Sequence, residues 1–300
     1  MKILVTGGSG LLGHKLVKEL LLRDYEVYAI YNRHEIGITH RNLKKIRLDL
    51  VNNVALEDLI LKVKPEVIVH VAAYTDVDGC EVNKSYAWRV NVEATRSIVR
   101  AARVVKSFLI YVSTDYVFDG EKGMYRESDV PNPINYYGLT KLISEEIVKS
   151  SDLLYTIIRP SAIYGIGFGK LNFALFVANR LSRGEAIKVL INQYVSPTLN
   201  TYLAQAITEI VELRPMGILH IAGERMNRYE FAVKIAEVLG LPKELINKGK
   251  MHEMNWRAKR PKDSSLSIER AKQLLKTKFY DTDSALKLFA EEYRAQRGVI

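Results

Sequence analysis

The chain is poor in residues that form covalent or metal cross-links. It has a single cysteine, Cys80, among 300 residues, which excludes an internal disulfide and a cysteine-rich metal site. Cys80 lies in a loop-like stretch without a histidine nearby in sequence, so we interpret it as incidental rather than as a nucleophile. The six histidines show no metal-ligand spacing, and we predict no structural metal.

Long apolar runs are also absent. No run approaches the roughly 18 residues that suggest a membrane-spanning helix, and the N-terminus enters an apolar strand at once, without a signal-peptide pattern. With 48% hydrophobic and 26% charged residues, the composition is that of a soluble globular protein. We therefore expect a cytoplasmic protein of roughly two domains with no membrane partner.

Acidic residues are fewer than basic ones, and the imbalance is local. Lys and Arg total 44 against 34 Asp and Glu, and residues 243–278 hold eleven Lys/Arg against four Asp/Glu. Such a surplus suits a solvated surface, a nucleic acid, an anionic membrane or a phosphorylated small molecule. Because no aromatic-interleaved nucleic-acid motif accompanies it, we predict no nucleic-acid partner. A solvated surface and a diphosphate substrate remain open.

The strongest motif that is present is a glycine-rich loop near the N-terminus. An apolar strand at residues 2–5 runs into Thr-Gly-Gly-Ser-Gly-Leu-Leu-Gly at residues 6–13, and then into an apolar-periodic helix. Gly7 allows a tight turn, Gly10 lets the backbone approach a pyrophosphate, and Gly13 lets the helix pack against the strand. The strand-loop-helix order predicts dinucleotide binding, with the phosphates at the helix N-terminus.

The end of the second strand bears on which dinucleotide is bound. Residues 27–31 read as a strand that ends in Asn32 and Arg33. Folds that bind NAD usually carry an acidic residue at this corner for the ribose 2′-hydroxyl, whereas an arginine suits a 2′-phosphate. We therefore predict NADP as cofactor, with NADPH preferred and NADH left open. An ordinary surface arginine is the alternative interpretation of Arg33.

Alternating strands and helices predict the fold class. Strands are predicted at residues 2–5, 27–31, 47–50, 65–73, 108–112, 155–158 and 187–190, and a long helix at about residues 85–105. A helix and strand at 202–213 and 217–222 are predicted to return to the main sheet. This order predicts an α/β protein with a doubly wound parallel (Rossmann) sheet and a smaller, mostly helical substrate domain. We assign residues 1–160 and about 199–223 to the dinucleotide-binding domain, and residues 161–198 and 224–300 to the substrate domain. Residues 194–198 are predicted to form a turn.

Residues 108–147 carry the candidate catalytic chemistry. Thr114 follows the fifth strand, at the edge where parallel sheets bind ligands, and Tyr137 and Lys141 fall four residues apart on one helix face. A cation about 4 Å from a phenol could lower the tyrosine pKa by two to three units. We therefore predict that Lys141 lowers the pKa of Tyr137 while Thr114 hydrogen-bonds the same substrate oxygen. The spacing alone more often reflects an interfacial tyrosine beside a solvated lysine. An active site is favoured because a glycine-rich loop, a hydroxyl residue after the fifth strand and this helix follow one another along the chain.

Together these parts resemble extended short-chain dehydrogenases/reductases, most closely the dTDP-4-dehydrorhamnose reductases. The match is densest at the glycine loop and at residues 72–78, 90–92, 113–120, 133–141, 196–198 and 260–261. The resemblance implies an NADPH-dependent oxidoreductase that reduces the 4-keto group of a nucleotide-activated deoxysugar in dTDP-L-rhamnose synthesis. It implies Thr114, Tyr137 and Lys141 as the catalytic residues, with Tyr137 giving a proton to the sugar O4. Several members form dimers, so the resemblance suggests a homodimer.

The resemblance also implies binding residues. Those lining the cofactor would be Gly7, Gly10, Leu11, Leu12, Gly13, Asn32, Arg33, Asp49, Leu50, Ala72, Ala73, Tyr74, Tyr137 and Lys141. Those touching the sugar would be Thr114, Asp115, Tyr116 and Ala162. Ala162 stands where the family often has a tryptophan, and Val195 stands where it often has a glycine, so the substrate side departs further from the family than the cofactor side.

Related activities are separated by a few positions. Nucleotide-sugar dehydratases carry an Asp-Glu pair where this chain has Asp115 and Tyr116, so elimination lacks its base. The cysteine of fucose-type epimerase-reductases has no counterpart here, because Cys80 is in a different loop. A regulatory role is the alternative to an enzyme, since the beta subunit of methionine adenosyltransferase resembles the same family and binds NADP.

Overall fold

A computed structural model of the protein describes residues 1–169, 171–296 and 298. Its strands, in chain order, are β1 (Lys2–Thr6), β2 (Glu26–Tyr31), β3 (Leu43–Arg47), β4 (Val67–His70), β5 (Phe108–Val112), β6 (Tyr155–Arg159), β7 (Ile163–Tyr164), β8 (Ile187–Leu190), β9 (Tyr194–Val195), β10 (Thr198–Leu199), β11 (Gly217–His220), β12 (Met226–Asn227) and β13 (Ile246–Gly249).

The α-helices, in chain order, are α1 (Leu11–Leu21), α2 (Asn53–Val63), α3 (Val77–Val82), α4 (Lys84–Trp88), α5 (Ala94–Val105), α6 (Tyr136–Lys149), α7 (Phe173–Leu181), α8 (Asn200–Leu213), α9 (Arg228–Leu239), α10 (Glu269–Leu274) and α11 (Thr282–Gln296). Several begin at an asparagine whose side chain accepts a backbone N–H of the first turn, which satisfies a donor that the helix itself leaves unpaired. These N-caps are Asn52 of α2, Asn83 of α4, Asn135 of α6, Asn172 of α7 and Asn227 of α9.

Within the described residues, seven strands form one parallel sheet in the order β11-β6-β5-β4-β1-β2-β3. The inner strands β4 and β5 are buried along their whole length, as is expected for a sheet covered on both faces. The chain passes from β1 to β2 on one side, and β4 lies on the other side of β1. This reversal of strand order opens a crevice at the carboxyl ends of β1 and β4, which is where such sheets bind ligands.

Helices cover both faces of the sheet. On one face Leu16 and Leu20 of α1 pack with Ile207 of α8 in a core that contains Ile3 and Val5. On the other face residues of α2, α5 and α6 form a core with the alternate side chains of the same strands. The predicted doubly wound α/β fold is confirmed.

A separate apolar cluster joins α7, α9 and α11 to the small parallel sheet of β8 and β13. Its centre is aromatic, because the ring of Tyr164 lies 5.0 Å from that of Phe231 and 5.7 Å from that of Phe289, measured between centroids. The chain does not stay in this cluster after β13. Residues 266–279 return to the main core through Leu266, Ala271, Phe279 and their neighbours.

Two local predictions are wrong. The third strand was expected at residues 47–50 but is Leu43–Arg47, an edge strand whose exposed Lys44 and Lys45 hide its pattern. Residues 194–198 contain the short strand β9 and the start of β10 rather than only a turn. The long helix expected at about residues 85–105 is present as α4 and α5, which are joined by a π-helical turn at Arg89–Glu93.

Among the described residues, no helix is both long enough and apolar enough to span a membrane.

Candidate active site

The loop after β1 has a shape that only glycine permits. Gly7 has φ of +71°, and a Cβ on Gly13 would lie 2.0 Å from the carbonyl oxygen of Gly7. Gly10 is the N-cap of α1 and gives it no side-chain cap, so the first N–H groups of α1 have no side-chain acceptor from that position. Backbone N–H groups at the positive end of a helix are suitable ligands for a pyrophosphate, so this loop fits a dinucleotide.

The glycine loop opens on a cavity of about 580 Å³ at the carboxyl edge of the sheet, which we call the first cavity. Most of the predicted site residues line it: Gly7, Gly10, Leu11, Leu12, Gly13, Asn32, Arg33, Ala72, Ala73, Thr114, Asp115, Tyr116, Tyr137, Lys141 and Ala162. One continuous cavity therefore joins the glycine loop to the candidate catalytic residues.

Three predicted cofactor residues are not among the described residues that line the first cavity. The carboxylate of Asp49 accepts the N–H of Val51 at 3.1 Å. The side chain of Leu50 is buried in the core of the α2 and α5 face. The ring of Tyr74 packs edge-on against that of Tyr86 with 5.1 Å between centroids.

The catalytic candidates meet at one wall of the first cavity. Thr114 follows β5, and Tyr137 and Lys141 come from the first and second turns of α6. Their exposed fractions are 7%, 8% and 2%. The structure thus places three polar side chains of low exposure together on the wall of the cavity.

Burial governs the protonation of Lys141. Its Nζ donates to the carbonyl oxygen of Val112 at 2.7 Å and lies 4.2 Å from the centroid of the Tyr111 ring. Burial lowers the pKa of Lys141 to about 7, although the charge of Glu145, one turn further along α6, opposes the shift.

Burial also raises the pKa of Tyr137 above its ordinary value of 10.0, while hydrogen bonding to Thr114 acts in the opposite direction. The prediction that Lys141 lowers the pKa of Tyr137 is therefore wrong for this structure. The physical reason is that the ammonium group is directed at Val112 and is itself poorly solvated. A phenol that stays protonated is suited to give a proton rather than to take one.

Asp115 is the centre of a buried hydrogen-bond network. Its Oδ1 accepts the hydroxyl of Thr114 at 3.1 Å, and its Oδ2 accepts the hydroxyls of Ser161 at 2.8 Å and Ser264 at 2.6 Å. Burial raises the pKa of Asp115, and these hydroxyls oppose the shift. Because the Thr114 proton points to Asp115, the threonine can accept from Tyr137 but does not donate to a substrate oxygen in this arrangement.

A buried ion pair lies behind the candidate catalytic residues. Glu145 of α6 accepts the Nε of Arg159 at 2.9 Å and the hydroxyl of Ser113 at 2.5 Å through the same oxygen. Its other oxygen accepts a second guanidinium N–H of Arg159 at 2.5 Å. Glu145 is fully buried and Arg159 is 1% exposed. The pair ties α6 to the ends of β5 and β6, where Thr114 is held.

A second cavity of about 310 Å³ shares Tyr116 and Arg228 with the first cavity. Its wall is mainly apolar and aromatic, with three cations among the described residues and no carboxylate. It is lined by Tyr116, Phe173, Phe176, Lys188, Val189, Leu190, Gln193, Arg228, Met254, Trp256 and Arg260. A cavity of this composition suits a planar ring attached to an anionic group.

Arg228 is a candidate functional residue that the sequence pattern did not reveal. Its guanidinium lies 5.0 Å from the centroid of the Phe173 ring, and its Nε donates to Gln193 at 3.4 Å. Lys188 is paired with Glu253, and Arg260 is paired with Asp78. Arg228 opens α9, far in sequence from every motif, and only the fold places it between the two cavities.

A family model described as the RmlD substrate binding domain matches residues 1–295. The chain belongs to the RmlD family. The predicted resemblance to the dTDP-4-dehydrorhamnose reductases among the extended short-chain dehydrogenases/reductases is confirmed, since curated proteins and solved structures of that name are similar to this chain over almost its full length.

Three curated proteins illustrate the range of this family. A probable low-salt glycan biosynthesis reductase of Haloferax volcanii is 31% identical and covers 89% of this chain and 90% of its own length. The methionine adenosyltransferase 2 subunit beta of Bos taurus is 32% identical, with 80% and 73% covered. A dTDP-4-dehydrorhamnose reductase of Aggregatibacter actinomycetemcomitans is 31% identical, with 95% and 97% covered.

Solved structures of RmlD-type reductases match the whole fold. A hypothetical dTDP-4-dehydrorhamnose reductase from Sulfolobus tokodaii is 45% identical, with a TM-score of 0.83 and 93% of this chain and 97% of that chain covered. The dTDP-4-dehydrorhamnose reductase of Bacillus anthracis, in complex with NADP, is 29% identical, with a TM-score of 0.86 and 97% and 99% covered. The match extends over both apolar cores.

Proposed function

We propose that this protein uses NADPH to reduce the 4-keto group of a nucleotide-activated deoxysugar, as a dTDP-4-dehydrorhamnose reductase does. The observation that carries the proposal is the meeting of Thr114, Tyr137 and Lys141 on one wall of a cavity whose other end is the glycine loop. The similarity to reductases of that name supports it.

NADPH fits the first cavity through this chain's own residues. The glycine loop and the start of α1 would hold the pyrophosphate. Asn32 and Arg33, exposed at the end of β2, would face the adenosine 2′-phosphate, for which a guanidinium is well suited. Lys141 would hold the nicotinamide ribose. When bound, the cofactor supplies the hydride, and the complex of the Bacillus anthracis relative with NADP supports this choice.

The remaining chemistry is a proton transfer from Tyr137. Because burial keeps its phenol protonated, Tyr137 is the donor to the sugar O4. In the ligand-free protein Thr114, with its own proton directed to Asp115, accepts the phenol proton and so orients the Tyr137 hydroxyl. When the sugar binds, that proton would turn from Thr114 to the sugar O4.

The second cavity would hold the nucleotide part of the substrate. Arg228 and Arg260 provide guanidinium groups for the diphosphate, and Trp256 and Phe173 provide faces for the base. Arg228 lines both cavities, so a diphosphate bound there leaves the sugar in reach of Tyr137. The small side chain of Ala162 leaves room on the sugar side.

A substrate panel tests the proposal. The protein would be incubated with NADPH and with dTDP-, UDP- and GDP-linked 4-keto-6-deoxysugars, and the loss of NADPH absorbance would be followed, with NADH as the comparison. We expect fastest turnover with dTDP-4-dehydrorhamnose and NADPH. No NADPH consumption with any of these sugars, by protein that binds NADPH in calorimetry, would contradict the proposal.

A regulatory subunit is the second candidate, and the similarity to the bovine methionine adenosyltransferase 2 subunit beta favours it. Such a subunit would bind NADPH without consuming it and would co-purify with a methionine adenosyltransferase catalytic chain. The buried group of Thr114, Tyr137 and Lys141 supports the enzyme instead, as does the longer match to the Aggregatibacter reductase.

The wider organisation is also a proposal. We infer a cytoplasmic homodimer in which residues 1–160 and 199–223 bind the dinucleotide and residues 161–198 and 224–300 bind the nucleotide sugar. The separate cluster of α7, α9 and α11 supports the division. Residues 266–279 are an exception to it, because they pack in the main core with the dinucleotide-binding residues. Light scattering on the purified protein tests the dimer.

A further inference from the structure

Residues 254–260, here called the strap, form neither helix nor strand and line one side of the second cavity. Met254, Trp256 and Arg260 are the strap residues that line it. The guanidinium of Arg260 lies 5.4 Å from the centroid of the Trp256 ring and donates to the Ala258 carbonyl at 3.0 Å. The strap therefore presents an aromatic face and a cation in a fixed relation to each other.

A segment without regular structure needs other contacts to hold it, and one of them is Asp78 at the start of α3. One carboxylate oxygen of Asp78 accepts the N–H of Ala258 at 2.9 Å. The other oxygen lies 3.1 Å from the guanidinium of Arg260, which is only 12% exposed. Asp78 thus fixes both the backbone of the strap and its cation.

The second contact is Asn135, which also caps α6. Its Nδ2 donates to the Lys259 carbonyl at 3.0 Å, and its Oδ1 accepts the N–H of Gly138 at 2.8 Å. Asn135 is 6% exposed. A Cβ on Gly138 would lie 2.1 Å from the carbonyl oxygen of Tyr116, so the first turn of α6 is packed tightly against the segment that separates the two cavities.

The amide of Asn135 therefore holds the strap with one end and the helix that carries Tyr137 with the other. Both functions need an asparagine. Serine caps a helix nearly as well, but it is too short to reach the strap and still cap. Aspartate caps equally well, but its carboxylate cannot donate to a carbonyl oxygen.

We propose that Asn135 is a positioning residue for the nucleotide part of the substrate: by tying the strap to the first turn of α6, it holds the Trp256 and Arg260 subsite in the arrangement that binds a nucleoside diphosphate. This inference rests on the proposed function, because it takes the second cavity as the site of a nucleoside diphosphate.

The variant Asn135→Ser separates the two roles without changing charge. It keeps the cap of α6 and removes the contact with the strap. We expect the Kd for dTDP and the KM for the sugar nucleotide to rise about five- to tenfold, the effect of one lost hydrogen bond. The value of kcat should stay within about twofold of wild type, because Tyr137 and its helix are unchanged. NADPH affinity and the thermal midpoint should also stay close to wild type.

Two further variants complete the comparison. Asn135→Ala removes both contacts, so it should show the same loss of dTDP affinity together with a thermal midpoint lower by a few degrees. Asp78→Ala releases the strap from its other side, away from α6, and should weaken dTDP binding while leaving NADPH affinity unchanged. If the role of Asn135 were only to cap α6, Asn135→Ser would behave as wild type.

Trp256 provides the readout. The chain has two tryptophans, so Trp88→Phe leaves Trp256 as the single fluorophore, within the strap itself. We would titrate this parent and its Asn135→Ser derivative with dTDP and follow the fluorescence. Equal dTDP affinity in the two proteins would overturn the inference while leaving the proposed function intact. A parent that binds neither dTDP nor UDP would overturn both. A parent that binds dTDP more tightly than the derivative supports the inference, whether or not NADPH is consumed.

Discussion

Lys141 is 2% exposed, and burial lowers its pKa to about 7 from an ordinary value of 10.5. Its ammonium is held by one carbonyl oxygen and by the face of Tyr111. In the absence of a ligand, the folded protein is therefore destabilised by a poorly solvated cation. Such perturbed groups are common where a site is arranged for catalysis rather than for stability.

This destabilisation predicts a pH dependence of stability. Between pH of about 7 and 10.5 the unfolded chain holds a proton on Lys141 that the folded protein has lost, so the contribution of this group to stability rises with pH. We expect Lys141→Met to be more stable than wild type at neutral pH and below, and the difference to shrink as the pH rises. Urea unfolding without cofactor, at several pH values, measures it.

The control for this prediction is Lys149→Met, which removes a more exposed lysine of the same helix that is paired with Glu146. It should show no comparable change with pH. If Lys141→Met and wild type differed in their free energy of unfolding by the same amount at every pH, the destabilisation would not come from a buried cation.

Arg33 supports a second prediction at this scale. If its guanidinium binds the 2′-phosphate, Arg33→Ala should weaken NADPH binding about ten- to hundredfold, as expected for charge-assisted hydrogen bonds, and change NADH binding little. Fluorescence titration with both cofactors measures this. Arg41→Ala is the control, because Arg41 is exposed and pairs with Asp24. Equal losses for NADPH and NADH would refute the role of Arg33.

Sequence patterns located the candidate site residues that belong to motifs and missed those that only the fold brings together. Thr114, Tyr137 and Lys141 were found because strand ends and helical spacing are local properties. Arg228 was missed, since nothing near it in the sequence marks its position between two cavities. The protonation of Tyr137 was predicted wrongly because burial, which decides it, depends on the whole packing.

At the level of elements, the Glu145 and Arg159 pair connects α6 with β5 and β6. Breaking such a buried pair from one side leaves an uncompensated charge, which costs about 3–5 kcal/mol. We therefore expect Glu145→Met and Arg159→Met each to lower the free energy of unfolding by about that amount. The double variant should recover a large part of the loss, because it leaves no buried charge. Urea denaturation measures all three.

An exposed pair provides the comparison. Glu57 and Arg100 join α2 and α5 at the surface, with Arg100 more than half exposed. Glu57→Met should cost less than about 1 kcal/mol. Two results would contradict this account of the buried pair. One is a Glu145 variant that loses as little free energy of unfolding as the Glu57 variant, and the other is a double variant whose loss equals the sum of the two single losses.

Elements with a strong internal pattern were predicted well. The fully buried β5 lies where the sequence placed it, as does β8. β3 was displaced by several residues because an edge strand with exposed lysines has little apolar signal. The short strands β9 and β10 depend on partners far away in the chain, β12 and β7, and two residues carry no period that could reveal them.

At the level of the whole molecule, the main core is assembled from distant parts of the chain. Leu203, Ile207 and Ile210 of α8 are fully buried against α1, and β11 extends the sheet beside β6. Residues 266–279 add further apolar side chains to the same core. The proposed dinucleotide-binding part is therefore not a contiguous segment.

A fragment of residues 1–160 tests this assembly. It lacks α8, β11 and the returning segment, so Leu16 and Leu20 would be exposed to water, and we expect it not to fold cooperatively. Urea unfolding followed by circular dichroism, with the full chain as control, measures it. A cooperative transition in the fragment, together with NADPH binding, would contradict the account.

The most direct test of the proposed activity is NADPH consumption with dTDP-4-dehydrorhamnose generated in situ, compared among wild type, Tyr137→Phe and Tyr136→Phe. Tyr136 is the adjacent tyrosine of α6 and is not among the described residues that line the first cavity. We expect wild type and Tyr136→Phe to consume NADPH, and Tyr137→Phe to lose about two to four orders of magnitude in turnover while it still binds NADPH. Turnover by Tyr137→Phe comparable to that of wild type would contradict the role of Tyr137 as the proton donor.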